Sequence, residues 1–145
     1  MKKKKMMTLT FKRRIPAPPI AVYDAWLSPK SPCNPWHEAD VLDFKPKVGG
    51  LYHFRQTHGS VQYPHYGRFL KLQRGKQIKM IWMSNMTAGT ESQVQVDLVK
   101  KGAETVLTLK HSKLHDDAGG WAHDDGWKYY LDQLVAMYPS KGGKS

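Results

Sequence analysis

His111 and His123 are the polar pair around which any chemistry in this chain would be organised. His111 shares the period-two parity of Leu107 and Leu109, and His123 stands one helical turn before Trp127, so both side chains are expected to reach one interior. Two imidazoles beside an apolar pocket would orient a ligand carbonyl or carboxylate, whereas the plainer alternative is two separately hydrogen-bonded buried histidines. Acid–base catalysis needs a third partner, and none can be assigned, so no catalytic residue is named. His115-Asp116-Asp117 and His123-Asp124-Asp125 repeat a triplet of metal-ligating residue types. Neither supplies a His-x-x-x-His pair, and Asp beside a helix start serves as a cap, so no metal site and no cofactor are expected. Cys33 lies among prolines without a basic or histidine neighbour to lower its thiol pKa, which leaves it without a nucleophile's surroundings. Val48-Gly49-Gly50 lacks the following helix and Lys of a phosphate loop.

The elements that must position these residues follow from periodicity. Residues 7–15 alternate, with Leu9, Phe11 and Ile15 on one side together with Arg13. Pro16 to Pro19 stop that strand and suit a helix start, after which Val22, Ala25 and Trp26 form one apolar stripe over residues 19–27. Pro29, Pro32 and Pro35 predict an irregular connection. Six strands are then expected at 39–44, 51–57, 66–72, 77–83, 93–99 and 104–111, joined by short turns. Half-buried alternation of this kind means an antiparallel meander rather than βαβ units. Trp127, Leu131, Leu134 and Tyr138 recur at helical spacing, with Tyr130 beside them, and predict a helix over about 119–138. A sheet apolar on one face needs a cover, and this helix is the one available; the fold class is α+β, helix on antiparallel sheet.

Composition narrows the function. One cysteine excludes an internal disulfide framework and fits a reducing compartment. No apolar run is long enough to span a membrane, and the segment after the basic N-terminus is too short for a signal peptide's apolar region, so the expected location is cytoplasmic. The formal charge of +11 invites a nucleic-acid reading. Six of those charges belong to Lys2 to Lys5, Lys141 and Lys144, and the rest mostly alternate with apolar residues as on the wet face of a sheet. No aromatic-plus-basic nucleic-acid motif is present, and no specific nucleic-acid partner is expected. Residues 1–7 and 139–145 read as flexible tails and 8–138 as one domain.

Ile15-Pro16-Ala17-Pro18 leading into Val22-Tyr23-Asp24-Ala25-Trp26, then Pro35-Trp36, Lys45-Pro46-Lys47-Val48-Gly49-Gly50-Leu51-Tyr52, Tyr66-Gly67-Arg68-Phe69-Leu70, Ile81-Trp82, Leu107 to His111 and His123-Asp124-Asp125-Gly126-Trp127 occur in an order and spacing that carry a resemblance. Over residues 8 to 138 the chain resembles the branch of the START/SRPBCC superfamily that is similar to activators of the heat-shock-protein-90 ATPase. The resemblance implies a helix-grip (START/Bet v 1-like) fold, in which a curved antiparallel sheet of about seven strands wraps a long C-terminal helix around an elongated cavity. It departs from the family's pattern in the proline-broken stretch ending Trp36-His37 and in Lys47-Val48 before the Gly-Gly turn.

On that footing the cavity lining is expected to include Trp127, Tyr130 and Leu131 from the helix and Tyr52, Phe54, Phe69 and Trp82 from the strands. Trp26 and Trp36 are expected near its mouth, His37 among the cavity residues, and His111 and His123 as polar anchors. The expected function is binding of a largely apolar small molecule. Alternatives are a cyclase- or hydrolase-like enzyme using the histidines, or a chaperone ATPase-activating protein partner. The chain is expected to be a monomer or homodimer.

Overall fold

Alternating residues become seven strands in the computed structural model, which describes residues 5–36 and 38–138. In chain order they are β1 (Met6–Ile15), β2 (Asp40–Phe44), β3 (Leu51–His58), β4 (Val61–Gln73), β5 (Gln77–Ser84), β6 (Ser92–Lys101) and β7 (Glu104–His115). Helix α1 (Pro19–Trp26) follows β1, helix α2 (Ala118–Met137) follows β7, and one 3-10 turn occupies Asn85–Thr87. The sheet order is β1-β7-β6-β5-β4-β3-β2, antiparallel throughout. β2 to β7 are therefore the expected meander, and the connection through α1 lays β1 against β7, leaving β1 and β2 as the edges. No described helix is long and apolar enough to cross a membrane.

One face of the sheet is dry. Leu9, Phe11 and Ile15 of β1, Tyr52 and Phe54 of β3, Val94, Val96 and Leu98 of β6, and Leu107 and Leu109 of β7 are buried at alternate positions. Trp127, Leu131 and Leu134 of α2 are buried against that face. Arg13 shares the inward parity and still reaches water at the sheet margin, where its Nε donates to Asp132 of α2 at 2.9 Å.

Three local features position the rest. In β7, Lys113 adopts a left-handed backbone (φ 60°) and the β1 register shifts from Leu9↔His111 to Met7↔Leu114. This bulge lets both His111 and Leu114 point inward although they are an odd number of residues apart. In β4, the strand begins at Val61 rather than near Tyr66, and Pro64 lies inside it. Pro64 pairs only with Arg55 of β3, because β5 ends where Ser84 meets His65; no ladder bond from its missing N–H is needed on that free side. Gly67 gives Tyr52 a passage: a Cβ there would collide with the Ile81 carbonyl and with the Tyr52 hydroxyl that donates to it. At the other boundary β1 begins at Met6, so Met6 and Met7, read from the sequence as tail, pair with His115 and Leu114.

The proline-rich connection is fixed by Asn34, which is fully buried. Its Nδ2 donates to the carbonyls of Ala25 (2.9 Å) and Trp26 (3.0 Å) at the end of α1, and its Oδ1 accepts from the Trp36 N–H at 2.8 Å. One side chain thus satisfies three backbone groups that water cannot reach. Asn34→Ala is expected to lower unfolding stability by about 2 to 4 kcal/mol in urea denaturation; a loss below about 0.5 kcal/mol would mean that the connection is held by something else.

Candidate functional site

A buried imidazole must be satisfied at both nitrogens, and His111 is. Trp127 Nε1 donates to His111 Nδ1 at 2.9 Å, so Nδ1 carries the lone pair and the proton sits on Nε2. That Nε2–H lies 2.7 Å from Ser92 Oγ, whose own proton goes to the Trp82 carbonyl at 2.6 Å. The relay runs from α2 through β7 and β6 to β5 in one direction, with every donor matched to an acceptor. Burial holds His111 well below the ordinary imidazole pKa, with His123 and His65 adding repulsion against a proton. Protonation would place two N–H groups, from Trp127 and from Nδ1, head to head.

His123 packs edge-on against His111, with ring centroids 4.8 Å apart. Its Nδ1 faces the carbonyls of Gly119 (3.0 Å) and Gly120 (3.2 Å), two acceptors, so the proton sits on Nδ1 and Nε2 carries a lone pair. Burial lowers its pKa, opposed by those carbonyls and by Asp117. α2 begins here because Asp117 Oδ1 accepts from the Gly120 N–H at 2.9 Å, the capping role expected of the Asp-rich segment. Among the described residues no cluster of three or more His, Cys, Asp or Glu is arranged to hold a metal. The Cys33 thiol pKa is raised by burial.

Beside this relay the sheet and α2 leave a partly open cavity of about 190 Å³. Ala122, His123, Gly126, Trp127 and Tyr130 form its helical side. Gln56, Tyr63, His65 and Trp82 form its sheet side, with Met86 at the 3-10 turn. Gly126 makes room in the helix wall, since an added Cβ would meet no atom within 4 Å. Burial pushes His65 down to about 4, with the nearby His123 lowering it further and the Tyr63 backbone pulling the other way.

The expected lining residues separate into two groups. Trp82, His123, Trp127 and Tyr130 stand on the cavity wall. Trp26, Trp36, Tyr52, Phe54, Phe69 and Leu131 are buried in the core behind it, and His111 lies behind Trp82 and Trp127. Trp36 fills the centre of the gap: its ring lies 4.7 Å from Phe54, 5.6 Å from Trp82 and 6.0 Å from both Trp127 and Tyr130. His37 falls outside the described residues. Gln56, Tyr63, His65, Met86, Ala122 and Gly126 were not anticipated. The period-two pattern continues upstream from Phe69 through Gly67 and His65 to Tyr63, and that continuation was the available signal, obscured by Pro64.

Residues 16–138 match the family described as Activator of Hsp90 ATPase homolog 1-like protein. No curated protein matches this sequence. Among solved structures, a Chromobacterium violaceum protein is 22% identical with a TM-score of 0.81, covering 92% of this chain and 98% of its own. The Aha1 dimer from Colwellia psychrerythraea is 21% identical with a TM-score of 0.73, over 89% of this chain and 93% of its own. An HSP90 activator from Plasmodium falciparum is 20% identical, also with a TM-score of 0.73, over 93% and 99%. These likenesses establish the helix-grip fold.

Two measurements test the relay. Ser92→Ala leaves the His111 Nε2–H and the Trp82 carbonyl unpaired in the core and is expected to cost about 1 to 3 kcal/mol of unfolding stability. Ser112→Ala, which removes a half-buried hydroxyl at 3.5 Å from the Gln93 carbonyl, is expected to cost under about 0.5 kcal/mol; equal losses would overturn the assignment. Burial disfavours the protonated forms of His65, His111 and His123 in the fold, while in the unfolded chain they protonate near the ordinary value of 6.5. Below that pH the unfolded chain binds protons that the fold refuses. Stability is therefore full above about pH 6.5 and falls on acidification by up to about 1.4 kcal/mol per pH unit for each histidine. Urea midpoints between about pH 7 and pH 5 should show the fall, and His111→Gln should make it shallower; an unchanged slope would exclude His111 as a contributor.

Proposed function

The chain belongs to the Activator of Hsp90 ATPase homolog 1-like family, and within that family we propose that it is a binding protein for a small, largely apolar molecule held between the sheet and α2. The observation that carries this reading is the cavity lined by Trp82, Trp127, His65 and Tyr130. It is walled by aromatic rings, and its volume of about 190 Å³ is near the about 150 Å³ of an engineered apolar cavity that takes up one benzene ring. Burial of the ligand's apolar surface supplies the affinity, at about 25 cal/mol per Å² before ordering costs.

His111 adds stability rather than catalysis in this reading, because both of its nitrogens are committed to Trp127 and Ser92. A second reading, activation of a chaperone ATPase, draws on the opposite face of the sheet. There Leu51, Tyr66 and Leu70 of β3 and β4 expose apolar surface, and a structural neighbour is described as an HSP90 activator. Leu51→Asp would abolish chaperone ATPase stimulation under that reading and leave ligand binding intact under the first.

Gly126→Leu tests the cavity directly. The substitution fills open space from a position where glycine weakens the helix, so unfolding stability is expected to hold or rise by up to about 0.8 kcal/mol. Calorimetric binding of ethylbenzene should at the same time be lost. If the variant binds ethylbenzene as the parent chain does, the ligand site lies elsewhere.

A further inference from the structure

Three of the residues that line the cavity carry a nitrogen with no partner. Trp82 Nε1, His123 Nε2 and His65 Nδ1 are each closed off from solvent and make no hydrogen bond. Each costs about 1 to 3 kcal/mol when left unpaired; Trp26 Nε1, His53 Nε2, Arg55 Nε and the Tyr138 hydroxyl are also unpaired elsewhere, but these three belong to side chains that line one cavity. Their chemistry differs. The indole Nε1–H of Trp82 can only donate. His123 Nε2 can only accept, because the ring's proton is fixed on Nδ1 by the carbonyls of Gly119 and Gly120. His65 Nδ1 adds a third position, whose role follows its tautomer.

Charge is the second constraint. Among the described residues no Lys, Arg, Asp or Glu lines the cavity. An ionised ligand group would be desolvated there without a counter-ion, which is far costlier than burying a neutral group that finds its hydrogen bonds. The rings supply the third constraint: Trp82 packs tilted against His65 (centroids 4.9 Å, planes 52° apart) and Trp127 (5.0 Å, 46°), so aromatic groups line the cavity and suit a guest that carries a ring.

We propose that the cavity selects a neutral, single-ring aromatic molecule that presents a hydrogen-bond acceptor to Trp82 Nε1 and a donor to His123 Nε2: an aromatic carbonyl compound that also bears a hydroxyl or amide N–H. This rests on the cavity-binding reading above. The nitrogens are closed off from solvent, so pairing them requires the wall to shift on binding, and His123 keeps its tautomer as long as Nδ1 stays on the Gly119 and Gly120 carbonyls. The donor on the ligand answers the lone pair on His123, and its carbonyl answers the indole; a molecule lacking either leaves one orphan in place.

The test is a calorimetric ladder with the full chain at neutral pH: the three hydroxyacetophenone isomers, ethylbenzene as the apolar match, and benzoate as the charged one. At least one isomer is expected to bind about tenfold or more tightly than ethylbenzene, and benzoate is expected not to bind. Trp82→Phe and His123→Leu, each checked for cooperative melting, should shrink the ratio of that isomer's affinity to ethylbenzene's measured on the same variant toward one; an undiminished ratio would overturn the assigned partners. If ethylbenzene binds and no isomer exceeds it, the polar selection is overturned while the cavity reading stands. If benzoate binds as tightly as the best isomer, the neutrality of the site is overturned. If none of the five binds, the cavity reading fails and this inference with it. The isomer ladder needs no variant, so a misfolded Trp82→Phe does not remove the test.

Discussion

An imidazole at the centre of an aromatic core can be kept only if both of its nitrogens are paired, and the rest of this structure is arranged around meeting that condition for His111. Its two partners lie on different elements, Trp127 on α2 and Ser92 on β6, and Ser92 in turn takes up the Trp82 carbonyl on β5. Three strands and the covering helix are thereby joined by hydrogen bonds that have no alternative partner in water. Apolar packing alone would let α2 slide or rotate over the sheet at little cost. A directional donor from Trp127 to a lone pair of fixed tautomer does not permit that freedom. The same rotation sets where Gly126, His123 and Tyr130 stand relative to the sheet, so the relay also defines the cavity.

The second constraint is volume. A long helix over a curved sheet encloses more space than aliphatic side chains fill, and here most of it is taken by rings. Trp36, carried on the connection that Asn34 fastens to α1, reaches the middle of the gap and touches rings from α1, β3, β5 and α2. The space left is therefore a short compartment lined mainly from β3, β4, β5 and one face of α2, rather than a channel along the whole helix. That division explains why aromatic residues of one composition fall into two roles. Those on the Trp26 side of Trp36 are packing, and those on the Trp82 and Tyr130 side are wall.

Much of this was legible in the sequence because it rests on periodicity. The succession of elements, the covering helix and the inward parity of His111 follow from alternation at two residues and stripes at three and four, whereas the place of β1 beside β7 does not. The near end of β4 was not legible, since proline is a general breaker and its tolerance at Pro64 depends on β5 ending one residue short. The continuation of β7 past His111 was hidden for a related reason: the bulge at Lys113 shifts the parity, and alternation carries no mark of a left-handed residue that is not glycine. Which aromatics line the cavity depends on Trp36, whose position comes from three hydrogen bonds of Asn34 and from no local pattern. Long-range pairing decided each of these points, and a single sequence records it only indirectly.

The formal charge of +11 and the uncharged cavity bear on each other. A basic protein gathers anions at its surface, and a ligand search guided by charge alone would favour them. Surface attraction of this kind is screened within about 8 to 10 Å at physiological ionic strength, and an exposed pair is worth at most about 1 kcal/mol. Removing a carboxylate from water into a compartment without a counter-ion costs several kcal/mol. The interior penalty exceeds the exterior gain, so the surface charge cannot choose the occupant. In the proposed reading, selection falls to the hydrogen-bonding groups of the wall residues, where a neutral imidazole and an indole distinguish one neutral ring from another by where its donor and acceptor lie.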